Sequence, residues 1–147
     1  MAWLLAACLL GCGPIGPIPG GALGGEVVSA PVDDWSFTAD IETAQLETRP
    51  EDPYSVNIWI YGEGERLYVP TSLILGSSEP TEREWVRNLV ADDRVRLRVD
   101  GRIYERRAVR ITDAAELDQA RTKLLQKYDV EADEHSSAAW IFRLVPR

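Results

Sequence analysis

The sequence predicts a mainly β domain of the α+β class, a small antiparallel barrel of about six strands with two flanking helices. The first observation is a hairpin signal, because apolar and charged residues alternate over 95–99 and Asp100-Gly101 then suits a type I′ turn. The second is a pair of segments with apolar residues at helical spacing, one on each side of this hairpin. The chain has 147 residues, which is enough for one domain with its own core.

The hairpin predicts its own register. Because the turn has two residues, Leu97 pairs with Tyr104, and Arg96 pairs with Glu105 on the opposite face. Beyond Arg106 the apolar residues change face. This change predicts a bulge, or a strand that leaves one sheet layer for another.

Helices are predicted before and after the hairpin. Thr81 and Glu84 have capping-box spacing at the start of the first helix. Its apolar stripe consists of Trp85, Val86, Leu89 and Val90. The second helix begins at a cap formed by Thr112 or Asp113, and its apolar stripe is interrupted by Arg121.

The remaining strands are predicted from alternation and turn residues along the chain. They lie at 37–48, 54–61, 67–69 and 140–145, with turns at 49–53 and 62–65 and loops at 70–80 and 129–137. His135 is the only histidine and lies beside Asp133 and Glu134. This spacing has no metal specificity, so we predict no metal site.

The charge is acidic overall but unevenly placed. A net charge of −8 argues against general affinity for nucleic acid, so no nucleic-acid partner is expected. Nine of the 16 basic residues are arginines between Arg83 and Arg110, where only five acids occur. Two interpretations remain open for this segment, a solvated strand face and a local phosphate or anion site.

The N-terminus resembles that of a bacterial lipoprotein. Residues 2–10 are apolar over the length of a signal-peptide core, and Leu9-Leu10-Gly11-Cys12 is similar to a lipobox. The resemblance implies a signal peptide at 1–11, lipid attachment at Cys12 and a membrane partner through that anchor. The alternative is a soluble protein with an apolar N-terminus.

This resemblance also implies a location and a domain division. The protein would be anchored in the bacterial cell envelope, facing the periplasm or the exterior. Gly13, where an inner-membrane lipoprotein has aspartate, slightly favours the outer membrane. Residues 12–31 would form a Gly/Pro-rich tether without regular structure, and 32–147 the barrel domain. Cys8 would leave with the signal and Cys12 would be acylated, so no free thiol would remain.

Several short motifs resemble the split-barrel flavin-binding proteins, which are similar to pyridoxamine phosphate oxidase, and in particular their deazaflavin-dependent nitroreductase branch. They are Trp85 with Asn88-Leu89, Val95-Arg96-Leu97, Gly101, Tyr104 and Ala108, Leu46 to Arg49, and Trp140 to Leu144. The resemblance covers about residues 35–147. It implies a six-stranded split barrel, often homodimeric, that holds FMN or a deazaflavin in a groove beside the barrel.

Carried onto this sequence, the resemblance gives the cofactor-binding candidates Arg49, Thr71, Ser72, Trp85 and Asn88. The match is partial. Where the family has a Gly-Arg-Lys-Ser-Gly phosphate-binding turn, this chain has Arg-Pro-Glu-Asp-Pro, with two acids that repel phosphate. This departure predicts a cofactor site that is altered or lost, and the sequence is also consistent with no cofactor.

Each candidate also has a purely structural interpretation. Trp85 can be a core residue, and Arg49 can be a charge at the end of a turn. Thr71 and Ser72 can bond their own loop backbone. No serine has a histidine partner in a plausible local arrangement, and no P-loop or dinucleotide glycine fingerprint occurs, so the sequence assigns no catalytic residue.

Two functions remain open at this point. The first is a lipid-anchored split-barrel protein that binds a flavin or deazaflavin and acts as an oxidoreductase. The second is a cofactor-free barrel that serves as an envelope binding or structural module. The resemblance favours the first, whereas the missing glycine-rich turn and the export signal favour the second.

Overall fold

The computed structural model describes residues 12–147, which form one curved sheet with helices packed on it. The predicted signal peptide, residues 1–11, lies outside the described residues. The strands are β1 (Glu26–Val27), β2 (Ala44–Thr48), β3 (Tyr54–Ile58), β4 (Tyr61–Glu63), β5 (Arg66–Pro70), β6 (Arg94–Val99), β7 (Arg102–Arg110) and β8 (Ile141–Pro146). The helices are α1 (Glu84–Ala91), α2 (Ala114–Tyr128) and α3 (Glu134–Ala138), with short 3₁₀ turns at Ser36–Asp40 and Pro80–Glu82.

The sheet is an antiparallel half-barrel with the strand order β3-β2-β6-β7-β8-β5-β4. Only β1 is parallel to its neighbour, and it pairs with β7. The predicted mainly β fold is therefore confirmed. Within residues 12–147 there are eight strands and three α-helices, where about six strands and two helices were expected.

Two apolar clusters hold the fold together. The first fills the concave side of the sheet, where Trp35, Leu46 and Leu97 are buried with Trp85 of α1. The second lies between α2 and strands β5 and β8, around Leu124. Two clusters form because the sheet buries one face against itself and part of the other against a helix.

The predicted hairpin and its register are confirmed. Leu97 pairs with Tyr104 and Arg96 pairs with Glu105. Asp100 and Gly101 have φ of 50° and 78°, the two positive values that a type I′ turn requires. Local sequence determines this element because both strands and their turn are contiguous.

The predicted bulge in the second hairpin strand is absent. β7 pairs with β6 and then with β8 in uninterrupted register. The interior position between Tyr104 and Ala108 is taken by Arg106, which is buried, while Val109 points outward. The change of apolar face in the sequence therefore marks the buried Arg106 and the packing of Ile111 into the second cluster, and not a break in the strand.

The predicted strand at 54–61 is two strands. β3 ends at Ile58 and β4 begins at Tyr61. The break occurs because α2 takes the backbone groups of Ile60: its N–H donates to Tyr128 Oη at 2.9 Å, and its carbonyl accepts from Lys127 Nζ at 2.7 Å.

The helix ends differ in part from the prediction. The capping box of Thr81 and Glu84 does not form, because a 3₁₀ turn occupies Pro80–Glu82 and α1 begins at Glu84. Val90 is 69% exposed, so it lies outside the buried stripe of α1. The Asp113 cap of α2 is confirmed, since its carboxylate accepts from the Glu116 N–H at 2.8 Å.

Residues 12–28, which we call the N-terminal strap, run from the free edge of β3 across the polar outer face of the sheet to β7. The N–H and carbonyl of Gly20 exchange hydrogen bonds with Ser55, both at 2.8 Å. The Leu23 N–H donates to Glu47 Oε2 at 2.7 Å, and the Val28 N–H donates to the Ile103 carbonyl at 2.8 Å. The sequence predicts a tether without regular structure here, whereas in the structure its backbone bonds the edge of β3, side chains of the polar outer face and, through β1, strand β7.

Within residues 12–147, no helix combines the length and the apolar composition needed to cross a bilayer.

Candidate functional site

A groove opens between the end of β3, the loop that follows β5 and the start of α1, and we call it the loop groove. Its volume is about 290 Å³. The lining residues are Thr43, Asn57, Ile58, Trp59, Pro70, Thr71, Ser72, Ile74, Leu75, Arg83 and Trp85. Three of the five predicted cofactor-binding residues therefore meet here: Thr71, Ser72 and Trp85.

Thr71 and Ser72 shape the loop of the groove. The buried Thr71 hydroxyl accepts from the Trp140 N–H at 2.9 Å, which ties the loop to β8. Ser72 Oγ accepts from the backbone N–H groups of Ile74 at 3.3 Å and Leu75 at 2.8 Å. Ser72 thus bonds its own loop backbone, as the structural interpretation of the sequence expects, whereas Thr71 bonds the backbone next to β8 instead.

Trp85 belongs mainly to the core. It is 7% exposed, and its ring centroid lies 6.0 Å from that of Phe142 inside the barrel. Its remaining surface forms the floor of the loop groove. The indole therefore fixes the shape of the groove, and its replacement would also open a cavity in the core.

Arg49 and Asn88 lie outside the loop groove. Asn88 Nδ2 donates to Thr48 Oγ1 at 3.0 Å, which joins α1 to the end of β2. Arg49 forms ion pairs with Asp52 at 3.3 Å and with Glu84 at 3.1 Å. The charge of Arg49 is thus already matched by carboxylates, so its structural interpretation fits better than a phosphate-binding role.

Arg83 is the groove cation that the sequence did not single out. Its Nη2 donates to the Leu75 carbonyl at 2.6 Å, and no carboxylate of residues 12–147 forms an ion pair with it. Gly76 makes this approach feasible, because it has a φ of +84° and a Cβ there would lie 2.6 Å from the same nitrogen. The sequence signal was the pair of Gly76 in the loop and an arginine at the helix start.

The walls of the groove are aromatic and aliphatic. Trp59 stacks on Tyr128 with ring centroids 4.1 Å apart and an interplanar angle of 5°. Burial raises the pKa of Tyr128 to about 12, so its hydroxyl stays protonated at neutral pH and holds the stack in place by donating to the Glu42 carbonyl. On the opposite wall Ile74 and Leu75 are 46% and 69% exposed, which is high for large apolar side chains.

These residues define what the groove can do. Its lining contains one arginine and four residues with uncharged polar side chains, and it contains no acid, histidine, lysine or cysteine. It can bind a flat apolar group that carries an anionic substituent, but it offers no general base of its own. Among residues 12–147, no three His, Cys, Asp or Glu side chains are placed to hold a metal ion together.

Comparison with solved structures identifies the architecture. The chain superposes on a conserved hypothetical protein, Rv2991, from Mycobacterium tuberculosis with a TM-score of 0.55 at 17% identity, covering 76% of each chain. The chain has a split-barrel fold. A structure described as an F420 reductase gives a TM-score of 0.52 at 22% identity, covering 80% of this chain and 96% of that chain.

A third similar structure is a candidate pyridoxamine 5′-phosphate oxidase from Listeria innocua, with a TM-score of 0.50 at 13% identity over 72% of this chain and 84% of that chain. No protein-family model matches the sequence. No curated protein matches it significantly. At these identities the structural likeness establishes the fold, and function has to be argued from the groove.

Proposed function

We propose that this split-barrel protein binds a flavin or deazaflavin in the loop groove and acts as an oxidoreductase. The observation that carries the proposal is Arg83, a groove cation without a carboxylate partner among residues 12–147, at one end of an exposed apolar and aromatic surface. The similar structures described as an F420 reductase and as a candidate pyridoxamine 5′-phosphate oxidase support it through their shared fold.

In this proposal different residues of the groove bind the ring system and the phosphate of the cofactor. Trp59 and Trp85 contact the ring system, and Leu75 covers its outer side, which excludes water. Arg83 binds the phosphate, the role that the family resemblance gives to Arg49. A volume of about 290 Å³ suits one ring system, with the cofactor side chain reaching out along Ser72. When bound, the cofactor accepts and returns hydride or electrons, and the chain binds and orients it.

The alternative is a cofactor-free envelope module. The observation that favours it is the turn after β2, where Glu51 and Asp52 replace the glycine-rich turn of the family and pair with arginines. A module of this kind would contact its partners through the outer surface of the barrel and would bind no cofactor in the loop groove. The same binding experiment separates the two functions.

The experiment measures binding of FMN and of the deazaflavin F420 to the full chain carrying Cys12→Ser, by absorbance shift and fluorescence quenching. Arg83→Met should weaken binding about ten- to hundredfold, because a charge-assisted hydrogen bond contributes about 1.5–3 kcal/mol. Arg87→Met is the matched control, since this exposed arginine of α1, four residues after Arg83, donates to the carbonyls of Thr81 and Glu82 and does not line the groove.

Two results would reject cofactor binding in the loop groove. One is the absence of any spectral change or thermal stabilisation at saturating FMN and F420. The other is equal affinity of the Arg83→Met and Arg87→Met variants, which would place the phosphate elsewhere. The first result would leave the cofactor-free module as the function of the barrel.

We further propose that the protein is a lipoprotein anchored at Cys12 in the bacterial cell envelope, with the outer membrane slightly favoured. The lipobox-like sequence supports this, and Cys12 is exposed where it can be modified. Nearby, Ile15 and Ile18 are 67% and 63% exposed, apolar side chains that can enter the membrane interface. Cys12→Ser should lose the lipid label and leave the membrane fraction.

Cys8→Ser is the matched control for the anchor, because Cys8 would be removed with the signal peptide. It should keep both the lipid label and the membrane location. A Cys12→Ser variant that stays lipid-labelled would exclude this attachment site. The family resemblance also supports a homodimer, and sedimentation of the Cys12→Ser chain should then give twice the 16.4 kDa of one chain.

A further inference from the structure

A second cavity is separate from the loop groove, and we call it the Arg106 cavity. It is bounded by β7, by the last residues of β8 and by segment 27–35, and its volume is about 800 Å³. It shares no lining residue with the loop groove. The following inference therefore does not depend on a flavin or deazaflavin.

Arg106 projects into this cavity without a polar partner. The residue is 8% exposed, and its Nε is buried with no hydrogen-bond acceptor. None of the described residues 12–147 accepts a hydrogen bond from its side chain or pairs with it as a carboxylate. Burial lowers the pKa of Arg106, yet guanidinium remains charged at neutral pH, so the fold carries a buried cation without a counter-charge.

The other arginines of the cavity already have carboxylate partners. Arg66 and Arg143 both contact Glu116, and Arg147 pairs with Glu105 at 3.1 Å. These contacts leave one guanidinium of the cavity lining free for an incoming anion. The free group is also the most buried of the four.

The surroundings of Arg106 are apolar. Its guanidinium carbon lies 5.0 Å from the ring centroid of Trp35, and the buried Leu144 lines the same cavity. Val28 and Val32 of the segment before the first 3₁₀ turn complete this wall. A ligand that pairs with Arg106 would therefore also place carbon atoms against an aromatic and aliphatic surface.

From this arrangement we infer that the Arg106 cavity binds a small organic carboxylate, with the carboxylate on the Arg106 guanidinium and its apolar body between Trp35 and Leu144. A carboxylate matches the guanidinium fork with two parallel hydrogen bonds. A dianionic phosphate fits less well, because one guanidinium supplies a single positive charge. The exposed acids Asp33 and Glu65 also line the cavity and repel a second negative charge.

The test is calorimetric titration of the Cys12→Ser chain with benzoate, phenylacetate and hexanoate. Benzamide has the shape of benzoate without its charge, and acetate has the charge without the apolar body. We expect benzoate to bind at least tenfold more tightly than either control compound. Arg106→Met should abolish this preference, whereas Arg102→Met, at an exposed arginine of the same strand outside the cavity, should keep it.

Unfolding in urea without ligand gives a second measurement. Met keeps an unbranched apolar stem and removes an unpaired buried charge, so Arg106→Met should unfold at a higher urea concentration than the parent chain. A lower midpoint would overturn the proposal, because the contact with Trp35 would then satisfy the arginine as a structural group. Failure of all three carboxylates to bind, or equal binding by Arg106→Met, would also overturn it.

Discussion

The Lys127 side chain joins three separate segments of the chain through its ammonium group. Its Nζ donates to the carbonyls of Thr38 at 2.8 Å, Ile41 at 2.8 Å and Ile60 at 2.7 Å, which uses all three ammonium hydrogens. Burial lowers the pKa of Lys127 to about 8, so the group remains mostly charged at neutral pH. The 3₁₀ turn, the break between β3 and β4, and α2 are therefore joined at one atom.

Replacing Lys127 should destabilise the fold. Lys127→Met removes the donor from three carbonyls, and we expect the free energy of unfolding to fall by about 2 kcal/mol in urea titrations. Lys123→Met on the same helix is the control, because Lys123 makes no hydrogen bond within residues 12–147, and it should change stability by less than about 0.5 kcal/mol. Equal losses in both variants would contradict this role.

Asp92 should contribute a pH dependence to stability. Hydrogen bonds from Arg94 hold the pKa of Asp92 at about 2 in the folded chain, below its ordinary value of 3.8. As the pH falls, the Asp92 carboxylate is protonated in the unfolded chain before it is protonated in the folded chain. The stabilisation by Asp92 is therefore present above about pH 4 and is lost as the pH falls through about 2. The urea midpoints of the parent chain and of Asp92→Asn should therefore differ at pH 5 and converge towards pH 2.

The control for this pH dependence is Asp118→Asn on α2, where the exposed carboxylate makes no ion pair within residues 12–147. Its midpoint should run parallel to that of the parent chain over the same pH range. A constant difference between the parent chain and Asp92→Asn down to pH 2 would show that the Asp92 carboxylate does not act through its charge.

The candidate site shows what can be predicted for single residues. Thr71, Ser72 and Trp85 lie in one groove, as a shared loop and the following helix suggest. The family resemblance gives Arg49 a phosphate-binding role, but its charge is matched by Glu84, which is 35 positions away in the sequence. Arg83 was not chosen, because only the folded loop shows that no carboxylate reaches it. Charge is read from sequence, whereas its neutralisation depends on tertiary contacts.

At the scale of elements, the β6–β7 hairpin depends on its turn residue. Gly101 has a φ of +78°, a region that costs other residues about 1–2 kcal/mol. Gly101→Ala should therefore lower the free energy of unfolding by about 1 kcal/mol. Gly24→Ala is the control, because Gly24 has no positive φ and a Cβ there meets nothing within 4 Å. Equal effects of the two substitutions would contradict a strained turn.

Elements were predictable where their signals are contiguous. The hairpin register followed from alternation and a two-residue turn, and the pattern around α2 limited its cap to Thr112 or Asp113, of which the structure has Asp113. The break between β3 and β4 did not, because side chains of α2 take the backbone groups of Ile60. Arg106 was also missed as an interior residue, since period-two alternation assigns charge to the outer face.

At the scale of the whole molecule, the N-terminal strap changes how an anchored barrel would sit. A tether without structure would allow the domain to move away from the membrane. From Gly16 to Val28 the strap is bound to the edge of β3, to the convex face and to β7, with Asn57 Nδ2 donating to the Gly16 carbonyl at 3.0 Å. Lipid attached to Cys12 would therefore hold the convex face near the bilayer.

Glu47 is the side chain on which the strap depends most. It is 4% exposed, and its carboxylate accepts from the Leu23 N–H at 2.7 Å and from Arg96 at 3.1 Å. Gly/Pro-rich sequence suits this contact, because its backbone offers N–H and carbonyl groups without side chains that would hold it off the sheet. The polar outer face and the tether-like composition thus complement each other, which neither pattern shows alone.

Removing this carboxylate should free the strap and leave the barrel folded. In Glu47→Ala, the Leu23 amide should exchange its hydrogen at least about tenfold faster, because a charge-assisted hydrogen bond is lost, while the amides of β6 keep their protection. Glu47→Gln retains an acceptor and should show a smaller change, and Glu51→Ala, at an exposed acid, should show none at Leu23. If the Leu23 amide already exchanges in the parent chain at the rate of an unstructured peptide, the strap does not hold the barrel and the domain is free to move on its anchor.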